Sequence, residues 1–147
     1  MDAQAHYRAM ENMYRAAPIN GIFKPEITVS KETAEIEISV TEAFFHSAGA
    51  VHGSVYFKML DDAAFFAANS IVRDVFVLTS PFTTYLTRPV TAGVMKSVGR
   101  VVSKGKSRII AEAVVRDGRG REAGRGNGVF VRSRMLLTDA LGYGDSQ

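Results

Sequence analysis

Residues 46–72 read HSAGAVHGSVYFKMLDDAAFFAANSIV. From Ser54 to about Val72 the run is rich in Ala, Leu, Met and Phe and holds neither Gly nor Pro, so propensity and length favour a helix over a strand. Apolar residues lie almost all round it, which predicts a buried central helix. Two features break that pattern. His52-Gly53-Ser54 at the start leaves backbone N–H groups without intrahelical acceptors, where the helix dipole favours developing negative charge. Asp61 and Asp62 stand about two turns in, and a buried carboxylate costs several kcal/mol unless it is paired or used. Successive helical residues point about 100° apart, so only one of the two is expected to face a site. The alternatives are an ion pair to Arg73 or Arg88 or exposure at a helix edge, and for His52 a core or capping role.

Outward from this helix the pattern changes to strands. Residues 26–30 and 34–40 precede it, the second alternating Ala34, Ile36, Ile38 and Val40 with Glu35, Glu37 and Ser39. Runs at 75–86, 93–103, 107–116 and 122–134 follow, separated by the turn signals Ser103-Lys104-Gly105-Lys106 and Asp117-Gly118-Arg119-Gly120. Pro81 cannot donate to a ladder and demands an edge strand or a bulge. Gly124, Gly126 and Gly128 share one face of the last strand, where close approach of a helix to the sheet is the expected use. At the N-terminus, Ala3, Tyr7, Met10, Met13 and Tyr14 recur every three or four residues, predicting an amphipathic helix, a lid or strap, that Pro18 and Asn20-Gly21 stop. The order gives an α+β fold: an antiparallel sheet curled round one long helix, with an N-terminal helix added and a sheet edge that dimerisation would cover.

The 147 residues, 46% hydrophobic and 22% charged, suit one domain: an N-terminal helix at about 3–16, a core at about 20–134 and a tail at 135–147. No cysteine is present, which removes disulfides and thiolate metal sites. Three histidines without a ligand-spaced cluster suggest no metal, and no cofactor is expected. The start MDAQAHYRAMENMYR lacks a signal-peptide pattern, and no run is apolar enough to span a membrane, so a cytoplasmic location is the default. Residues 96–134 carry eleven basic side chains against Glu112, Asp117 and Glu122, within a chain of net charge +3. Such asymmetry suits a polyanion, a phosphorylated small molecule or nucleic acid, or simply a solvated face. No helix-turn-helix or aromatic-interleaved basic motif supports nucleic acid.

The segment His52-Gly53-Ser54-Val55-Tyr56-Phe57-Lys58-Met59-Leu60-Asp61, with Ala63 and Ala67 to Ser70 behind it, resembles the His-Gly-Gly to Asp motif of hotdog-fold acyl-CoA thioesterases, in the phenylacetate-pathway branch related to 4-hydroxybenzoyl-CoA thioesterase. Tyr85 to Gly93 and Lys104-Gly105-Lys106 resemble that family's strand end and hairpin, so the likeness covers about residues 20–134. The resemblance implies a hotdog fold and hydrolysis of an acyl-CoA thioester. Asp61 would be the general base or nucleophile, and the Gly53 N–H would polarise the carbonyl beside His52. Thr79 would be the hydroxyl residue on the next strand that positions water. His46 stands where the family commonly has Asn, and Ser54 replaces the second glycine.

Gly53 and Asp61 lie about 12 Å apart along one helix, too far to act on one carbonyl. A two-fold dimer in which Gly53 of one subunit faces Asp61 of the other solves this, in agreement with the dimer, often a dimer of dimers, that the resemblance implies. Coenzyme A phosphates give the basic strands a use, with Lys104, Lys106 and Arg108 as candidates. Phe65, Phe66 and Phe82 are candidate walls for the acyl group. The competing function is an acyl-CoA-binding protein without hydrolysis.

Overall fold

The computed structural model describes residues 1–144. Its central helix, α3 (Gly53–Asn69), follows α1 (Ala3–Ala16), a single turn α2 (Asn20–Phe23) and the strands β1 (Glu26–Ser30) and β2 (Thr33–Ser39). After it come β3 (Val75–Leu86), β4 (Val94–Lys104), β5 (Arg108–Arg116) and β6 (Glu122–Leu136). All six strands pair antiparallel in the order β1-β2-β4-β5-β6-β3, a curved sheet round α3. The α+β architecture read from the sequence is therefore the one observed.

Three element ends differ from expectation. The central helix stops at Asn69, three residues short of Val72. The fully buried Asn69 side chain donates to the carbonyls of Val72 and Val75 and accepts from the Val77 N–H, which turns the chain into β3. Asn20-Gly21, expected only to stop the first helix, opens the extra turn α2. The last strand runs to Leu136, and residues 137–144 fold back onto α1, where Tyr143 is buried with its hydroxyl 2.7 Å from His6 Nδ1. The expected tail at 135–147 thus begins as strand, and its final three residues lie outside the described ones.

Helix and sheet come into direct backbone contact at Gly99 on β4. A Cβ there would stand 2.3 Å from the carbonyl carbon and oxygen of Ala63, while two residues earlier the buried Ser97 hydroxyl donates to the Met59 carbonyl of the same helix. We expect Gly99→Ala to cost about 1–3 kcal/mol or more, because backbone cannot yield as a side chain does. Urea denaturation checks this. Gly124, Gly126 and Gly128 serve another purpose than the helix packing expected of them: their faces meet the β3 carbonyls and the Phe82 ring.

The two sheet edges are treated differently. On β1, the Val29 N–H donates to Glu11 and the Val29 carbonyl accepts from Arg8, so α1 side chains occupy outward-facing backbone groups. On β3, which carries Pro81 and a register shift between Thr79 and Phe82, no strand pairs with the outer side among the described residues. Tyr85 and Leu86 are exposed along it. An unpaired, partly apolar edge of twelve residues is a template for another strand.

Candidate active site

The start of α3 is built as its sequence suggests. His52 is the N-cap: its backbone is extended, its Nδ1 accepts from the Ser54 N–H, and its carbonyl accepts from the Val55 N–H. The Gly53 N–H has no acceptor among the described residues. The donor sits at the positive end of a 17-residue helix dipole. His46 is exposed in the preceding turn, with Nδ1 accepting from the Ala48 N–H, and does not reach Asp61.

Two turns into α3, the adjacent aspartates take separate partners. Asp61 Oδ1 accepts from the Thr79 hydroxyl of β3 at 2.9 Å, which joins the two residues singled out in the sequence. Asp62 Oδ2 accepts from Lys58 Nζ and from the Tyr14 hydroxyl of α1, each at 2.7 Å. Neither Arg73 nor Arg88 pairs with an aspartate of this helix. The expectation that only one carboxylate faces the site needs correction, since both line the same cavity, through different oxygen environments.

That cavity measures about 320 Å³ and lies between the C-terminal part of α1, the middle of α3 and the start of β3. Phe65 and Phe66 line it as expected, and Phe76 joins them, its ring centroid 5.0 Å from that of Phe65. Phe82 does not: it meets Phe57 edge to face and covers Gly126 and Gly128 of β6. Tyr14, Lys58 and Phe76 were missed in the sequence. Lys58 could have been found from its i,i+4 spacing to Asp62. Tyr14 lies 48 residues from its partner and carries no local signal.

Electrostatics separate the two acids further. Burial, aided by the neighbouring Asp62 charge, pushes Asp61 from 3.8 up to about 6, against the opposing Thr79 hydrogen bond and Lys58. Burial and the two aspartates hold the Tyr14 phenol far above its usual range, so it stays a donor. For Asp61 a raised value means that ionisation is disfavoured in the fold. Its contribution to stability therefore declines as pH rises from 3.8 through about 6, where the carboxylate becomes a usable base. Removing the Thr79 hydroxyl takes away a bond that favours the charged form. Thr79→Val should move the ionisation of Asp61 above 6, which the carboxyl chemical shift followed by NMR titration would register.

Lys104, Lys106 and Arg108 lie on the β4–β5 hairpin, and none lines the Asp61 cavity. Lys104 and Lys106 border a different cleft of about 270 Å³ with Ile71, Val72, Phe130 and Arg132. Six of the eleven basic residues at 96–134 are ion-paired: Lys96, Arg100, Lys104, Arg121, Arg125 and Arg132. Arg100, Arg121 and Arg125 pair with the segment's own Glu112, Asp117 and Glu122, and acids from elsewhere in the chain, Glu35, Glu32 and Asp74, offset only Lys96, Lys104 and Arg132, so part of the basic excess persists. Among the described residues no cluster of three metal-ligating side chains occurs, and no helix is long and apolar enough to cross a membrane.

Residues 48–123, just over half of the sequence and the segment that carries both the helix start and Asp61, match the thioesterase superfamily. The chain belongs to that superfamily. Its fold is that of solved relatives. The PaaI protein of the phenylacetic acid degradation operon of E. coli is 18% identical, with a TM-score of 0.83 over 91% of this chain and 97% of that one. AziG of S. sahachiroi is 21% identical with a TM-score of 0.76, over 82% and 100% of the two chains. A conserved protein of Pseudomonas aeruginosa is 21% identical with a TM-score of 0.75, over 80% and 94%. Among curated proteins none matches. For this thioesterase-superfamily chain the hotdog architecture is established, at identities that speak for the fold alone.

Proposed function

We propose that this protein hydrolyses an acyl-CoA thioester to the free acid and coenzyme A. The observation that carries the reading is Asp61: a half-buried carboxylate with a raised pKa, hydrogen-bonded by Thr79, in the lining of an aromatic-walled cavity. A base that titrates near 6 abstracts a proton from water better than one at 3.8 and is still ionised at neutral pH. Thr79 holds the carboxylate in orientation, and Phe65, Phe66 and Phe76 give the acyl group an apolar bed. The Gly53 N–H stabilises the oxyanion, an interaction worth about 3–4 kcal/mol in such sites.

The same residues argue for a dimer. Eight residues of helix separate Gly53 from Asp61, so the donor for one site must come from a second copy, and the unpaired β3 edge offers the surface through which two copies join. The Lys106 and Arg108 side chains, which lack acidic partners among the described residues, are offered with Lys104 as contacts for the coenzyme A phosphates. No cofactor or metal has a part in this scheme.

A thiol-release assay over short, long and aromatic acyl-CoAs tests the proposal. Turnover that rises with pH through about 6 supports Asp61 as the base. Saturable binding without turnover on any member of the panel would instead make the protein an acyl-CoA-binding module.

A further inference from the structure

The cavity beside Asp61 is not closed by the superfamily-matched segment alone. Met13, Tyr14 and Ala17 from the end of α1, with Ile19 and Asn20 from the turn after it, supply one whole wall. All five precede residue 48, where the family match begins. This wall is fastened at three places. Tyr14 donates to Asp62, next in sequence to Asp61; Asn20 Nδ2 donates to the Tyr14 carbonyl at 2.7 Å; and Glu11 and Arg8 hold the other side of α1 to Val29 of β1. The Lys58 ammonium completes the anchor, 2.7 Å from Asp62 and 5.1 and 5.3 Å from the ring centroids of Tyr14 and Phe23. A pair of charges this little exposed in an apolar lining is costly. Its evident use is to fix α1 against the helix that carries the acid.

Resting on the thioesterase reading, we propose that the end of α1 is the acyl-size wall of the site: Ala17 and Ile19 set how long an acyl group can be taken, and the Tyr14–Asp62–Lys58 anchor holds that wall in place. At roughly 30 Å³ per water-sized group, about 320 Å³ accommodates on the order of ten non-hydrogen atoms. The substrate class is therefore a compact acyl group, and an extended fatty chain is refused by α1.

The test uses straight-chain acyl-CoAs from acetyl to dodecanoyl on the full-length protein. Hydrolysis is followed in wild type, Ala17→Leu and Ile19→Ala, and binding is followed by calorimetry in Asp61→Asn forms of the same three. Ala17→Leu adds three carbons to the cavity and should lower the longest accepted chain by about three carbons. Ile19→Ala should extend the limit by a similar amount. Beyond the limit, kcat/KM and affinity should fall at least about tenfold per pair of added carbons. Should Ala17→Leu not fold, the exposed Ile19 position still decides, being 50% accessible and cheap to truncate. Length profiles that coincide in all three forms, or that stay flat to dodecanoyl, overturn the inference, as does failure of every acyl-CoA to bind. A length limit that moves with the substitutions in the binding experiment, without turnover in wild type, sustains the wall and overturns the hydrolytic reading.

Discussion

Replacing Asp61 by Asn is expected to lower thioester hydrolysis about 10²–10⁴-fold, the range that loss of a positioned base or nucleophile produces. The amide keeps the shape of the carboxyl group and can still accept from Thr79, so the cavity and the fold should persist. Stability gives a second, opposite signal. Because Asp61 is protonated more readily folded than unfolded, its charge opposes folding above about pH 6. Asp61→Asn should therefore be more resistant to urea than wild type at pH 7, with the difference shrinking toward pH 4. An inactive but stabilised variant is what a retained functional carboxylate predicts. If activity survives, the chemistry moves to Asp62, although Lys58 and Tyr14 already occupy one of its oxygens.

Gly53→Pro should cost about 10²–10³ in kcat, through loss of a single N–H. Proline suits the first position of a helix, where the N–H has no intrahelical acceptor, and the residue before it, His52, already has the extended backbone that proline requires, with ψ 143°. A Cβ at this position meets only the tip of Leu86, 3.0 Å away, which can swing aside because Leu86 is exposed. The decisive form of the experiment mixes subunits. Co-expressed Asp61→Asn and Gly53→Pro chains, each inactive alone, should regain about a quarter of wild-type activity, since half of a random dimer population is mixed and each mixed dimer holds one intact site. No recovery, with mixed dimers present by native mass spectrometry, would place both groups of a site within one chain and remove the reason for a dimeric site.

Much of the site was legible because its signals are local. A helix that is apolar all round declares its own burial, and an acid inside it declares a cost that must have a use; residues 54–72 single out Asp61 and Asp62 together, and family likeness chose Asp61 between them. The cap at His52 and the free donor at Gly53 follow from the rule that helix starts leave N–H groups over. Thr79 is intermediate. Its place on the next strand was inferred by family likeness, and the hydrogen bond to Asp61 needs the β3 register and the bulge near Pro81 to bring it there. The glycines of β6 show the opposite case. Their common face was plain from the spacing, yet what meets it is β3, with Phe82 over Gly126 and Gly128 and the Tyr85 carbonyl against Gly124, rather than a helix, because a neighbouring strand is set by topology and not by period.

Sequence alone thus determined the α+β class, the central helix, its pair of acids and the N–H groups left over at its start, since each rests on periodicity or on backbone groups within a few residues. Only the tertiary structure decided that Asp62 belongs to Tyr14 and Lys58, that α1 forms a wall of the cavity while covering the β1 edge, and that six basic residues are neutralised in place. The physical reason is range. Propensity, capping and amphipathicity act between neighbours in the chain, whereas a hydrogen bond spanning 48 residues forms only after burial has brought its two ends together.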